Sequence, residues 1–363
     1  MKRVAHVIGQ MGIGGVETVL LNLYRKLDKE AIQFDFIVHK KEEQAYDQEI
    51  LGLGGHIYYV CPKKKNLYLN LKQTTEILKG YDAVHIHLSS AIGVLDGLCA
   101  MKAGVRVRIL HTHNSSSKGL LRRWGNWLLK PLVPLVATDL LACSNNSARY
   151  MFPKRVLTFD NYHILNNGID TARFAYNPFI REETRSSLGI VGCPTVVQVG
   201  RLCAAKNYGF TLEAFAETKK KLPEAVLLLV GDGPFMEDLK RRVKELGLSG
   251  AVYFLGIRRD VNQLLFAADL FVMPSVYEGF PGAGVEAQAS GIKCLFSDRV
   301  TESICLIPEN CERLSIDGKA EIWSEKMTRI LGDGYERQDQ SRRVREAGYD
   351  IGDICTELVK IYD

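Results

Sequence analysis

No stretch of this 363-residue chain reaches the roughly eighteen uninterrupted apolar residues that a bilayer-spanning helix requires. The nearest, 127–143, is broken by Lys130, Pro131, Pro134 and Asp139, so the chain is not expected to cross a membrane. Its nine cysteines include no C-x-x-C pair and follow no regular spacing, which leaves reduced thiols in a cytosolic protein as the simplest expectation. A secretory leader is not expected either, because the apolar start Val4 to Ile8 is interrupted by His6 and followed by glycines, as suits a buried strand. Low-complexity tracts are missing. Acidic residues are scarce in one half only: residues 1–175 hold 23 Lys+Arg against 14 Asp+Glu, whereas the remainder holds 24 against 28. The basic half is expected to meet an anionic partner, a membrane surface or a phosphorylated acceptor, and no nucleic acid.

What the chain does contain is an alternation of short apolar runs with helix-length amphipathic segments. The runs at 4–8, 34–38, 57–60, 83–87, 105–110 and 140–143 predict one parallel sheet covered by helices on both faces. The pattern restarts at 195–199, 225–230, 252–255, 270–273 and 294–297. Two doubly wound α/β domains in series follow, expected over 1–170 and 194–345. A turn-rich linker is expected at 171–193, and a last helix within 346–363 that can cross back to the first domain.

The sharpest motif is Pro274-Ser275-Val276-Tyr277-Glu278-Gly279-Phe280-Pro281-Gly282-Ala283-Gly284-Val285-Glu286. It follows a strand and opens a helix, the junction at which open α/β sheets bind ligands. Its glycines let backbone N–H groups approach an anion, to which a helix N-terminus adds its positive end. Two carboxylates beside an anion site would repel a phosphate unless they accept hydrogen bonds from sugar hydroxyls. For Glu286 alone, a first-turn glutamate that stabilises the helix dipole is the simpler reading.

With Glu278 and Glu286 so spaced, the segment resembles the E-x7-E signature of family 4 glycosyltransferases, and the likeness extends over nearly the whole chain. Glu278-Gly279-Phe280-Pro281 together with Glu286-Ala287-Gln288 look closest to the branch that builds bacterial capsular and exopolysaccharides. The resemblance implies the GT-B fold, with two Rossmann-like domains facing across a cleft, a nucleotide diphosphate sugar as donor, retention of anomeric configuration and no metal. It makes Arg201 and Lys206, in Gly200-Arg201-Leu202-Cys203-Ala204-Ala205-Lys206, the diphosphate ligands. Glu278 would hold the transferred sugar, Glu286 the ribose, and the 282–285 turn (Gly282, Ala283, Gly284, Val285) the phosphates. Two cations can supply the charge stabilisation that a leaving diphosphate needs without Mg²⁺.

Weaker signals surround these. Gly12-Ile13-Gly14-Gly15-Val16-Glu17 approximates a dinucleotide fingerprint, but Glu17 replaces its last glycine and His39-Lys40-Lys41 stands where a ribose-binding acid would be. As a family feature, Gly14 and Gly15 face donor phosphates and acceptor; as a local one, they make a tight turn. His85-Ile86-His87 and His111-Thr112-His113 place four imidazoles on one sheet face, an imitation of a metal site that lacks a completing Cys or carboxylate. By resemblance His113 touches a hydroxyl of the transferred sugar. Arg258, after the strand at 252–255, either lies against the nucleobase or is an ordinary surface arginine. The segment 118–130 mixes Lys118, Arg122, Arg123 and Lys130 with Trp124, Trp127 and leucines at roughly helical spacing. It is either a core helix or a membrane-interface helix that brings the protein to the inner face of the cytoplasmic membrane beside a polyisoprenyl-linked saccharide. A sugar-nucleotide epimerase and a non-catalytic nucleotide-sugar or glycan sensor are the competing functions.

Overall fold

The computed structural model describes every residue but 13, 41, 114–119 and 279, and no side chain of residues 120–123. The chain divides into two compact units, Met1–Gly168 with Ile351–Asp363, and Ile169–Asp350. The first holds a parallel sheet of β1 Lys2–Ile8, β2 Ile32–Val38, β3 Ile57–Tyr59, β4 Ala83–Leu88, β5 Val107–Thr112, β6 Asp139–Ala142 and β7 Tyr162–Ile164, in the order β3-β2-β1-β4-β5-β6-β7. The second holds β8 Thr195–Val199, β9 Val226–Val230, β10 Val252–Gly256, β11 Leu270–Met273, β12 Lys293–Ser297 and β13 Cys311–Leu314, in the order β10-β9-β8-β11-β12-β13. Strands covered on both faces read as continuous apolar runs, as in the fully buried Val226-Leu227-Leu228-Leu229-Val230 of β9. Strand order reverses between β1 and β4 and again between β8 and β11, so each sheet has a crevice beyond the carboxyl ends of those strands.

Every strand read from the apolar runs is present. β7 and β13 were not anticipated; both are short, half-exposed edge strands with polar residues, and the hydrophobic pattern is weak there. The stretch expected as a linker differs more. Its helix Pro178–Leu188 is tied to the second unit: Arg181 Nη1 donates to Phe266 O at 2.8 Å, Arg181 Nη2 to Asp269 Oδ1 at 2.6 Å, and buried Arg185 Nη1 to Ala267 O at 2.7 Å. Its charges are anchors where the composition had implied a solvated connection.

Helix Ala320–Asp333 ends at Gly334, at φ 58°; after the short helix Ser341–Val344, Gly348, at φ 83°, breaks the chain again, and the helix Ile351–Tyr362 begins afresh inside the first unit. There Ile351, Ile354, Leu358 and Tyr362 join the core beside Leu20, Tyr24 and Phe34 on the face of the sheet covered by helix Gly15–Lys26. Gly168 is glycine because a Cβ would strike Ile351 and Ile354 where the chain passes under this helix.

Candidate active site

In the second unit the chemistry gathers at the carboxyl ends of the adjacent strands β8 and β11. The loop after β8 is layered on the loop after β9: Gly200 N donates to Val230 O at 2.9 Å and Leu202 N to Asp232 O at 3.0 Å. A Cβ on Gly231, which sits at φ 133°, would run into the Gly200 carbonyl, so only glycine allows this stacking. Val276 N donates to Ala205 O at 2.8 Å, which joins the β8 and β11 loops. Gln198 Nε2 holds Lys206 O at 2.8 Å, and Thr211 Oγ1 orients that amide at 2.7 Å. The backbone carrying Lys206 is therefore set by buried hydrogen bonds.

Lys206 Nζ donates to Glu278 Oε1 at 2.7 Å, with the lysine one-fifth exposed and the glutamate nearly buried. Sequence reading placed these two on separate groups of a donor; the fold brings them into contact. An ammonium has three donors, so one bond to Glu278 leaves two for a ligand. Arg201 is exposed, and among the described residues it has no ion-pair partner. Two cations of different character result: one clamped and partly desolvated, one free to move onto an incoming anion.

Gly282, Ala283, Gly284 and Val285 are the first turn of helix Gly282–Ala289. Gly284 packs so near Phe296 that a Cβ would lie 3.0 Å from the ring. Glu286 follows on the same helix, part-buried, and loss of solvent raises its pKa from 4.5 to about 7, with Arg173 opposing the shift. Arg173 was not anticipated; it lies in the segment read as linker, and only the fold brings it near Glu286. Arg258 forks both nitrogens onto Asp260, Nε to Oδ1 at 2.7 Å and Nη2 to Oδ2 at 2.5 Å. The Asp260 carboxylate raises the guanidinium pKa, and the two form a part-exposed ion pair just after β10.

The first unit presents imidazoles at the equivalent edge. His6 Nδ1 meets His87 Nε2 at 3.1 Å, His87 Nδ1 meets His113 Nε2 at 2.9 Å, and His113 Nδ1 meets Asn167 Oδ1 at 3.1 Å. A second branch runs from Tyr362 OH to His85 Nδ1 at 2.7 Å and from His85 Nε2 to His111 Nδ1 at 3.0 Å. With Asn167 Oδ1 as acceptor, His113 carries its proton on Nδ1, and the proton positions on His87 and His6 follow along the chain. Burial holds all five rings neutral, with His113 lowered to about 4, His6 to about 3, and the others well below 6.5. His6 Nε2 and His111 Nε2 are buried without a protein partner among the described residues. A cavity of about 10 Å³ lined by His85, His87, His111, His113, Val16 and Ile354 has the size of about one water.

Both ring nitrogens of His113 are thus occupied, and the expected sugar contact can form only in exchange for His87. His6, read as an interruption in an apolar run, proves to be a member of the array. Its signal was its even spacing with Val4 and Ile8 on one strand face. The nitrogens of His6, His85 and His87, and those of His87, His111 and His113, lie within 4.8 Å of one another. At the loop after β1, the Glu17 carboxyl folds back on Gly14, filling the space a Cβ would need, and burial raises its pKa. A phosphate at Gly14 and Gly15 would meet that carboxyl, which suits a hydroxyl-bearing ligand better.

Residues 180–349 match the family described as glycosyl transferases group 1, and residues 13–173 match Glycosyltransferase Family 4. EpsF of Bacillus subtilis, provisionally named a glycosyltransferase, is 34% identical across 100% of this chain and 96% of its own. The UDP-Gal:α-D-GlcNAc-diphosphoundecaprenol α-1,3-galactosyltransferase of Escherichia coli is 29% identical over 87% of this chain and 84% of its own. The chain belongs to family 4 of the glycosyltransferases and is a glycosyltransferase of the GT-B type. Among solved structures, Anabaena HepE in complex with UDP and glucose has a TM-score of 0.81 at 18% identity, with 99% of both chains covered. These similarities give an epimerase no support.

Proposed function

We propose that this glycosyltransferase moves a hexose or N-acetylhexosamine from a UDP-sugar to a saccharide or polyisoprenyl-linked saccharide in cell-surface polysaccharide synthesis, with retention and without a metal ion. The observation that carries the reading is the Lys206–Glu278 contact at the junction of β8 and β11, on loops that also carry Arg201 and lead into the helix Gly282–Ala289 with Glu286. Support for the nucleotide comes from the UDP named for the HepE complex and for the Escherichia coli relative.

In this mechanism the diphosphate docks on Arg201, the remaining donors of Lys206 and the first-turn N–H groups of 282–285. Glu286 accepts the ribose hydroxyls. Glu278, already bonded to Lys206, accepts a sugar hydroxyl and so links the transferred sugar to the cation that stabilises its leaving group. The acceptor oxygen forms a bond to the anomeric carbon on the face from which the phosphate oxygen departs, and its proton passes to that oxygen. Two cations positioned for the developing charge do the work of a metal. His113, neutral at pH 7, takes a sugar hydroxyl in place of His87.

Thermal shifts with UDP, GDP and ADP test the reading. A ligand at 100 times its Kd stabilises by about 2.7 kcal/mol, so UDP should raise the second unit's transition well above the others. No shift with any nucleotide would remove the donor assignment; a larger shift with GDP or ADP would replace UDP.

A further inference from the structure

Three of the five imidazoles are arranged as ligands of a single ion. One ring nitrogen each of His87, His111 and His113 lies within 4.8 Å of the other two. His87 Nδ1 and His113 Nε2 face each other at 2.9 Å, and His111 Nε2 is buried without a protein partner among the described residues. Nitrogens held by one tetrahedral ion at about 2.0–2.1 Å stand about 3.3 Å apart, so the facing pair has to part by only a few tenths of an ångström. The widest pair, at no more than 4.8 Å, closes by about 1.5 Å or less, within reach of small ring rotations.

The outward nitrogens of the same three rings are supported as a metal site requires. His113 Nδ1 meets Asn167 Oδ1 at 3.1 Å, His87 Nε2 meets His6 Nδ1 at 3.1 Å, and His111 Nδ1 meets His85 Nε2 at 3.0 Å. His85 Nδ1 in turn reaches Tyr362 OH at 2.7 Å. Metal-bound histidines donate their second N–H to such partners, which fixes ring and tautomer. No proton has to leave the array. The protons reorder along it, with His87 donating to His6, His111 to His85 and His85 to Tyr362. All three ligand rings line the cavity of about 10 Å³, the volume of one water, which suits the open fourth position of a three-histidine site. His87 is half-buried and gives the group its access, whereas His6 and His85 are fully buried behind it. An all-imidazole set suits zinc, cobalt, nickel or copper; Mg²⁺ and Ca²⁺ require oxygen ligands.

We infer that His87, His111 and His113 bind one tetrahedral transition-metal ion of the zinc class, with a water as its fourth ligand. The transfer proposed above uses no metal. The ion takes His113 Nε2, the nitrogen through which that reaction reaches a sugar hydroxyl, and so inhibits transfer, a consequence that rests on the proposed function while the binding does not. Untagged full-length protein, stripped with EDTA and dialysed, is titrated with Co²⁺ and then with Zn²⁺. One equivalent of Co²⁺ should give the visible absorption of a tetrahedral, nitrogen-ligated ion, and one equivalent of Zn²⁺ should abolish it; excess Mg²⁺ should not. Zn²⁺ should also raise the melting temperature of the first unit. His87→Gln should weaken Zn²⁺ about a hundredfold or more, with a metal-free melting temperature near that of wild type, and Asn167→Ala should weaken it about tenfold or more. His163→Gln, on the edge strand β7, should bind as wild type does. A wild-type protein without the tetrahedral cobalt band would overturn the inference, as would a band that persists in both His87→Gln and His113→Gln. Zinc that displaces the cobalt band yet leaves transfer unchanged would establish the site and strike the His113 contact from the proposed reaction.

Discussion

The two units share the order of six strands, yet one carboxyl edge carries charged groups and the other neutral ones. At the second, Lys206, Glu278, Arg201 and Glu286 stand beyond the ends of β8 and β11; at the first, five neutral imidazoles lie on or directly after β1, β4 and β5. Under the proposed function the second edge receives the diphosphate, on one cation clamped by Glu278 and one exposed guanidinium. The first edge offers hydrogen-bonding groups held uncharged by burial, suited to hydroxyls and unsuited to anions. Their outer faces differ as well, since only the first carries the exposed indole pair.

Removing residues 351–363 should have the largest effect and sharpen the division into units. Each of Ile351, Ile354, Leu358 and Tyr362 contributes roughly 1.5–3 kcal/mol by burial, a total comparable to the whole stability of a domain. The first unit should fail to fold while limited proteolysis releases an intact second unit. Two cooperative thermal transitions in the truncated chain would mean the helix is dispensable.

Next come the cations of the second edge. Arg201→Ala should lower kcat about a hundredfold with little change in melting temperature, because its guanidinium is exposed. Lys206→Ala should lose similar activity and also about 2 kcal/mol of stability, since it strands the nearly buried Glu278 carboxylate. Adding Glu278→Gln should restore the stability and not the activity. If either single variant turns over within a few fold of wild type, the leaving-group role is wrong.

Acid separates the edges by sign. An imidazole lowered to about 3 or 4 in the fold but near 6.5 when unfolded binds more protons in the unfolded state, so stability is lost as pH falls through 6.5 toward 4. Within that window each such ring costs about 1.4 kcal/mol per pH unit. Glu286, raised to about 7, acts the other way: its contribution is complete below 4.5 and is lost as pH rises through 7. Calorimetry from pH 5 to 8 should show the first unit's transition climbing and the second's flattening or falling. Parallel shifts in both would contradict the electrostatic contrast.

A smaller effect is expected from Glu286→Gln, which should weaken UDP several-fold and abolish the rise in UDP affinity between pH 6 and 8 that ionisation of Glu286 predicts. Glu278→Gln should spare UDP and slow transfer; calorimetric titration showing the reverse would exchange their roles. Excess EDTA should change activity least of all. A loss restored by a divalent ion would turn attention to the imidazole array at the first edge.

Local pattern was enough for every strand but β7 and β13, for the doubling of the α/β unit and for the strand-to-helix junction at 274–286, because continuous apolar runs and glycine-rich turns are properties of neighbouring residues. The resemblance to family 4 glycosyltransferases singled out Arg201, Lys206, Glu278 and Glu286. Partnership was not legible. That Lys206 grips Glu278, that Arg258 pairs with Asp260, and that His113 has no spare nitrogen depend on contacts between residues far apart in the chain or on the rotation of a loop. The rotation of helix Leu120–Leu129 belongs to the same class: its periodicity fits a core helix and an interface helix equally, and the hydrogen bonds of Asn126 to Ala91 and Tyr150 decide which face looks outward.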